Sequence, residues 1–178
     1  MLDKMAYIGR SSLYWLALVV TGLSFEAVAL FYQYVLEEMP CALCIQVRLW
    51  VMALIIVSLL VLLLRRVRYI HVPGHLLTVV IAAGLLERSY QLLGTERGFA
   101  VGDCGFDLGL PAWFAPDKWF PAMFQVETSC GYTPELLFGI TMAEALIVVS
   151  SIFILVSVGM AIAAITRLHQ VAASGPKQ

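Results

Sequence analysis

The feature that most constrains this chain is the grouping of its apolar residues into four long blocks. Leu13 to Leu36 is apolar apart from Glu26, Gln33 and a few small polar residues. Leu49 to Leu64 contains one serine and no charge, and Leu76 to Leu93 is apolar until Glu87 and Arg88. Leu136 to Ile165 is interrupted only by Glu144 and small hydroxyl residues. A helix that crosses a bilayer needs about 20 such residues, within a range of roughly 17–25. The first and last blocks reach that length, and the second does so when Ile45, Gln46 and Val47 continue its helix. With 61% of its residues hydrophobic, the chain has too little polar surface for a soluble domain. A secretory signal core runs to only about 7–15 apolar residues, so the first block reads as a span and not as a leader.

The sequence therefore predicts an all-α membrane protein, a four-helix transmembrane bundle. It reads as a single integral membrane domain over residues 1–178, with spans near 13–36, 45–64, 74–93 and 136–165. Two outer loops are expected near 37–44 and 94–135, the second long and carrying a short interfacial helix. The formal net charge of −1 argues against nucleic acid as a partner.

Charge sets the expected orientation. Lys4 and Arg10 precede the first span, Arg65, Arg66 and Arg68 separate the second from the third, and Arg167 and Lys177 follow the fourth. These segments share one side, which the positive-inside rule assigns to the cytoplasm. The opposite side is acidic, with Glu37, Glu38, Glu96, Asp103, Asp107, Asp117, Glu127 and Glu135. Both termini are thus expected in the cytoplasm and both outer loops on the far side, which in a bacterium is the periplasm. All four cysteines, Cys41, Cys44, Cys104 and Cys130, fall in the outward segments. Disulfides form and persist in that compartment.

Cys41 and Cys44 form a Cys-x-x-Cys after Pro40. Proline favours a first helical turn, residues three apart share a face, and the positive end of a helix dipole favours thiolate. Arg48 lies four residues after Cys44, one turn on along the same face. Its guanidinium stays charged and stabilises a thiolate or an anionic reduced acceptor. A c-type haem site requires histidine after the second cysteine, where Ile45 stands. A four-cysteine zinc site normally shows two close pairs, whereas Cys104 and Cys130 are far apart in sequence. Neither haem nor metal is expected. A bracing disulfide is the competing reading for each pair, and four cysteines allow three connectivities. Small polar flanks, Gly102-Asp103 and Gly105 at Cys104 and Thr128-Ser129 and Gly131 at Cys130, suit accessible exchanging thiols.

Between those cysteines runs an aromatic stretch with Trp113, Phe114, Trp119, Phe120 and Phe124. Tryptophan is enriched where membrane meets water, so this segment is expected to lie along the lipid interface. Glu26 sits near the middle of the first span, where a carboxylate is a functional candidate by default. A hydrogen bond to Gln33 or to another helix is the simpler expectation, and a proton relay to a bound acceptor is the sharper one.

In combination these residues resemble the disulfide bond formation protein B family of bacterial inner-membrane thiol–quinone oxidoreductases. The resemblance covers nearly the whole chain. It rests on the four spans, Pro40-Cys41-Ala42-Leu43-Cys44-Ile45 followed by Arg48, and Cys104 with Phe106. It continues through Pro111 and Trp113, Asp117-Lys118-Trp119, Pro121, Phe124 and Cys130, and departs at Val47, where the family usually has a polar residue. It implies that Cys104 is attacked by a reduced periplasmic thioredoxin-fold disulfide oxidase and that Cys130 is its disulfide mate. Electrons would pass to Cys41–Cys44 and then to ubiquinone or menaquinone of the membrane pool. Cys44 would face the quinone, Arg48 would stabilise a thiolate–quinone charge transfer, and Arg88 is a further candidate contact. A dedicated paralogue serving one partner, a docking module without electron transfer, and a structural membrane protein braced by disulfides are the alternatives.

Overall fold

The computed structural model describes residues 2–67, 69–100, 105, 107–111, 113–137 and 139–173. Its elements run α1 (Leu2–Arg10), α2 (Ser12–Val35), α3 (Ala42–Leu63), α4 (His71–Arg97), α5 (Pro116–Trp119), α6 (Pro121–Phe124), β1 (Glu135–Leu137), β2 (Ile140–Thr141) and α7 (Met142–Ala173). Four of these, α2, α3, α4 and α7, are long and apolar enough to cross a membrane. They pack as a bundle in which α2 lies on α3, α3 on α4 and α4 on α7. Leu13, Leu63 and Leu155 point outward from it, an apolar exterior suited to lipid and not to water.

Local chemistry explains the helix ends. Ser11 is extended and caps α2 by accepting from the Leu13 amide at 3.2 Å, which separates α2 from α1. The α1 helix was not expected from the apolar blocks, because it lies before the first of them; it packs on α7. Gly98, at φ 74°, takes the left-handed position that ends α4 and turns its amide back onto Gly94 and Thr95. The α4 helix is therefore longer than the apolar run, since Glu87, Arg88 and Arg97 sit on it without interrupting it.

The fourth span begins later than its apolar run. Strands β1 and β2 pair antiparallel ahead of it, and Gly139, just before β2, has φ 76°. The helix then starts with a reciprocal cap: the Thr141 amide donates to Glu144 Oε2 at 3.1 Å, and the Glu144 amide donates to Thr141 Oγ1 at 3.3 Å. The Thr-x-x-Glu spacing marks that start in the sequence itself. In the long loop the short helix is two four-residue helices, because Pro121 keeps Phe120 out of the helical region, at φ −136° and ψ 68°.

Close helix contacts depend on small residues. A Cβ on Gly22 of α2 would stand 2.6 Å from Ile55 Cγ1 of α3. Gly22→Val is therefore expected to lower stability by roughly 1–3 kcal/mol, seen as a lower thermal midpoint in detergent; an unchanged midpoint would contradict this approach. Between α4 and α7, Ser89 Oγ and Ser150 Oγ share a buried hydrogen bond of 3.0 Å. The largest apolar core, with Val19, Val51, Leu54, Ile55, Ile81 and Leu85, lies mid-bundle. A second, smaller cluster at one end of the bundle holds the cysteines.

Candidate functional site

Pro40 leads the chain into α3, and Cys41 occupies the capping position with extended backbone (φ −88°, ψ 168°). Its sulfur accepts from the Cys44 amide at 3.3 Å, and Cys41 Sγ lies 2.7 Å from Cys44 Sγ. The Cys-x-x-Cys is thus built into the first turn of a 22-residue helix, as its spacing predicts. Cys41 is 1% exposed and packs with Leu43, Leu92 and Ala143.

The third described cysteine reaches this pair through backbone pairing. The Glu127 and Thr128 amides donate to Pro40 O at 3.0 and 3.4 Å, and Thr128 forms a parallel bridge with Cys41. The end of the long loop is thereby laid alongside the start of α3, and Cys130 packs against the Cys41 cluster. The Cys130 sulfur favours the Cys41 thiolate, but the contact with Cys44 and burial outweigh it and push the Cys41 thiol up to about 12. Cys104 and Phe106, both singled out from the sequence, lie outside the described residues.

Arg48 is buried one turn below Cys44. Its guanidinium donates to Gln33 Oε1 at 2.6 Å and Ala29 O at 2.9 Å on α2, and to Met123 O at 3.0 Å on the long loop. One side chain of α3 therefore ties the first span and the loop together. The loop is also held by Gln46, whose Nε2 donates to Leu108 O at 2.8 Å, and by the hydroxyl of Tyr34, which donates to Ala122 O. Ile45, Leu108 and Phe124 bury together beneath it, while Trp113, Trp119 and Phe120 face outward.

Cys44 and Arg48 share the wall of a cavity of about 150 Å³ between α2, α3 and α7. Most of its lining is apolar, from Phe25, Val51, Met142, Leu146 and Val149 among others. Cys41 does not line it, so the two sulfurs of the pair face different neighbours: Cys44 the cavity, Cys41 the Cys130 side. The arrangement presents one sulfur and one fixed cation to a mostly apolar cavity.

Residues 11–160 match the family described as Disulfide bond formation protein DsbB. The chain belongs to the disulfide bond formation protein B family. Disulfide bond formation protein B of Shewanella loihica is 30% identical over 155 residues, 86% of this chain and 91% of that protein. Disulfide bond formation protein B 2 of Pseudomonas aeruginosa is 32% identical over 133 residues, covering 74% and 79%. The Haemophilus influenzae protein of the same name is 26% identical over 177 residues, covering 96% and 97%. Membership of the family accords with a bundle that gathers cysteines from distant loops at one end.

Other expected residues fall elsewhere. Arg88 is not on the cavity wall; its Nε pairs with Glu87 at 2.9 Å and its NH1 donates to Gln91 at 3.1 Å. Glu26 does line the cavity, but the expected hydrogen bond is not made. Gln33, its anticipated partner, accepts from Arg48 instead, and neither Glu26 oxygen has a hydrogen-bond partner among the described residues. Two features were not foreseen. Gln33 is an anchor of Arg48, readable in principle as a second polar group two turns along from Glu26 in an apolar helix. Glu96, on α4, accepts from Thr133 and Thr141 at 2.6 and 3.2 Å and pins the β1–β2 pair, and Arg97 pairs with Glu144 beside it.

Proposed function

We propose that this chain is a quinone-dependent protein thiol oxidoreductase that reoxidises a periplasmic thioredoxin-fold dithiol oxidase. The observation that carries the reading is the shared wall: Cys44 and Arg48 line one apolar cavity, while Cys41 turns to Cys130. That polarity fits a relay with an entrance and an exit. Cys104, paired with Cys130, takes the attack of the reduced partner as a mixed disulfide. Cys130, released as a thiolate, is then adjacent to Cys41 and attacks the Cys41–Cys44 disulfide there. Cys44 leaves as the thiolate, at the helix start and one turn from Arg48. The partner's second thiolate then displaces Cys104, which takes Cys130 back from Cys41 and leaves Cys41 and Cys44 reduced.

The cavity fits ubiquinone or menaquinone by its donor set: apolar walls for a ring and tail, a guanidinium for a carbonyl oxygen, a sulfur within the same wall. A bound quinone supplies the capacity to accept two electrons and two protons. The chain's own residues do the rest. Arg48, held by Gln33, Ala29 and Met123, is fixed in place before any ligand arrives. The lipid-facing bundle keeps this end of α3 at a depth that a lipid-soluble acceptor reaches. In this reading residues 1–178 form one integral domain of the bacterial inner membrane, the basic end and both termini are cytoplasmic, and the cysteine end is periplasmic. Arg88, paired with Glu87, has no assigned step.

The test is an absorbance assay with purified full-length chain in lipid nanodiscs, a short-tailed ubiquinone analogue or menadione, and a reduced thioredoxin-fold dithiol protein. One quinone is expected to be reduced for every two partner thiols lost, with turnover. Oxidation of the partner without quinone reduction would overturn the reading.

A further inference from the structure

Glu26 is the one carboxyl group deep inside the described bundle, and the relay outlined above does not use it. It is 5% exposed, and both oxygens are buried without a hydrogen-bond partner among the described residues. It lines the same cavity as Cys44 and Arg48, and the Arg48 charge acts on it. A bare carboxyl group within a membrane protein is costly, and a structural one is normally satisfied by a neighbouring helix. Here Gln33, the partner expected from the sequence, accepts from Arg48 through its Oε1.

We propose that Glu26 is the group that delivers a proton to the acceptor in this cavity. This rests on the quinone-site reading given under Proposed function. Two surroundings pull on the carboxyl in opposite senses: the apolar wall favours the neutral acid and the Arg48 guanidinium favours the carboxylate. A group so placed changes protonation without leaving its site. The partner's two thiols lose two electrons and two protons on forming one disulfide, which is what conversion of one quinone to one quinol consumes. One of these protons is carried by Cys41 and is released when its S–H bond breaks as the Cys41–Cys44 disulfide closes. Glu26 gives up one proton as its O–H bond breaks and becomes a carboxylate facing Arg48. It then regains a proton released by the thiol pair, so dithiol and quinone balance without another reactant. The other ionisable side chains on the wall are Tyr32, Glu38, Cys44 and Arg48; α7 contributes only Met142, Ala145, Leu146 and Val149.

Two measurements on the full-length chain in nanodiscs test this. Dicyclohexylcarbodiimide, which modifies protonated carboxyls in apolar surroundings, is expected to label Glu26, with labelling slowed by a short-tailed ubiquinone analogue. Absence of label at Glu26, or label indifferent to the quinone, overturns the proposal. In Glu26→Gln, quinone affinity by equilibrium titration should stay within a factor of a few, while kcat falls roughly 100-fold and the solvent deuterium isotope effect increases. Glu26→Asp should recover part of kcat. Parent-like kcat and isotope effect in Glu26→Gln overturn the role of Glu26 alone, provided the parent chain reduces quinone. A parent chain that reduces none overturns the site reading instead. If Glu26→Gln loses its helical signal, Glu26→Asp and the carbodiimide result on the parent chain decide.

Discussion

Cys44→Ser is expected to abolish quinone reduction by a reduced thioredoxin-fold partner, while the chain still inserts and folds. The reason is positional. Cys44 is the only cysteine among the described residues that lines the cavity, and the other sulfurs there, the thioethers of Met39 and Met142, cannot replace it because they form no disulfide. Serine keeps the helix start intact, because the cap is made by the Cys41 sulfur and the amide of residue 44, not by the side chain of residue 44. Cys104→Ser should have the same end effect by a different route, since the partner then has no disulfide to attack. The two are told apart by trapping. Cys44→Ser should still capture the reduced partner as a mixed disulfide on non-reducing gels, and Cys104→Ser should not. Normal turnover in either variant would contradict the relay.

Arg48→Ala should lower kcat/KM for quinone roughly 100- to 1000-fold, the loss seen when a preorganised charged donor is removed from a site where negative charge develops. Partner capture through Cys104 should change far less, because Cys130, its proposed mate, packs with Cys41 and does not line the cavity. The substitution also removes the donor to buried Gln33 Oε1 and to part-buried Met123 O, whereas Ala29 O keeps its place in the α2 hydrogen-bond ladder. Each unsatisfied buried acceptor costs about 1–3 kcal/mol, so a lower thermal midpoint is expected as well. Arg48→Lys separates the two effects. It keeps the charge but lacks the planar fork that serves several acceptors at once. It should regain part of the quinone reaction and little of the stability. Unchanged apparent quinone affinity in Arg48→Ala, from a kinetic titration, would remove Arg48 from the site.

The cysteine end of the bundle explains why these residues act together. Cys41 is both the cap of α3 and the sulfur that meets Cys130, and the same backbone bridge that pairs Thr128 with Cys41 sets that meeting. Against the Cys130 sulfur, which favours the thiolate, the Cys44 contact and burial push the Cys41 thiol up. The Glu96 contacts to Thr133 and Thr141, with the Arg97–Glu144 pair, hold the opposite rim formed by α4 and α7.

Much of this was written in the order of residues. Four apolar blocks determined four long helices, because a bilayer supplies no partners for backbone groups and a helix supplies all its own. Pro40 and the Cys-x-x-Cys spacing determined where α3 starts, and the four-residue step to Arg48 determined that the guanidinium lies below Cys44. These are local facts, set by helical geometry over one or two turns. The Thr141–Glu144 cap was equally local and legible, but the apolar run beginning at Leu136 masked it. What only the tertiary structure decided involves residues far apart in the chain: Gln33 and not Glu26 as the partner of Arg48, Cys130 beside Cys41, and Glu26 left bare in the cavity. The physical reason is that a hydrogen bond or a sulfur contact across helices depends on which faces pack together, and hydropathy alone carries no information about rotation around a helix axis.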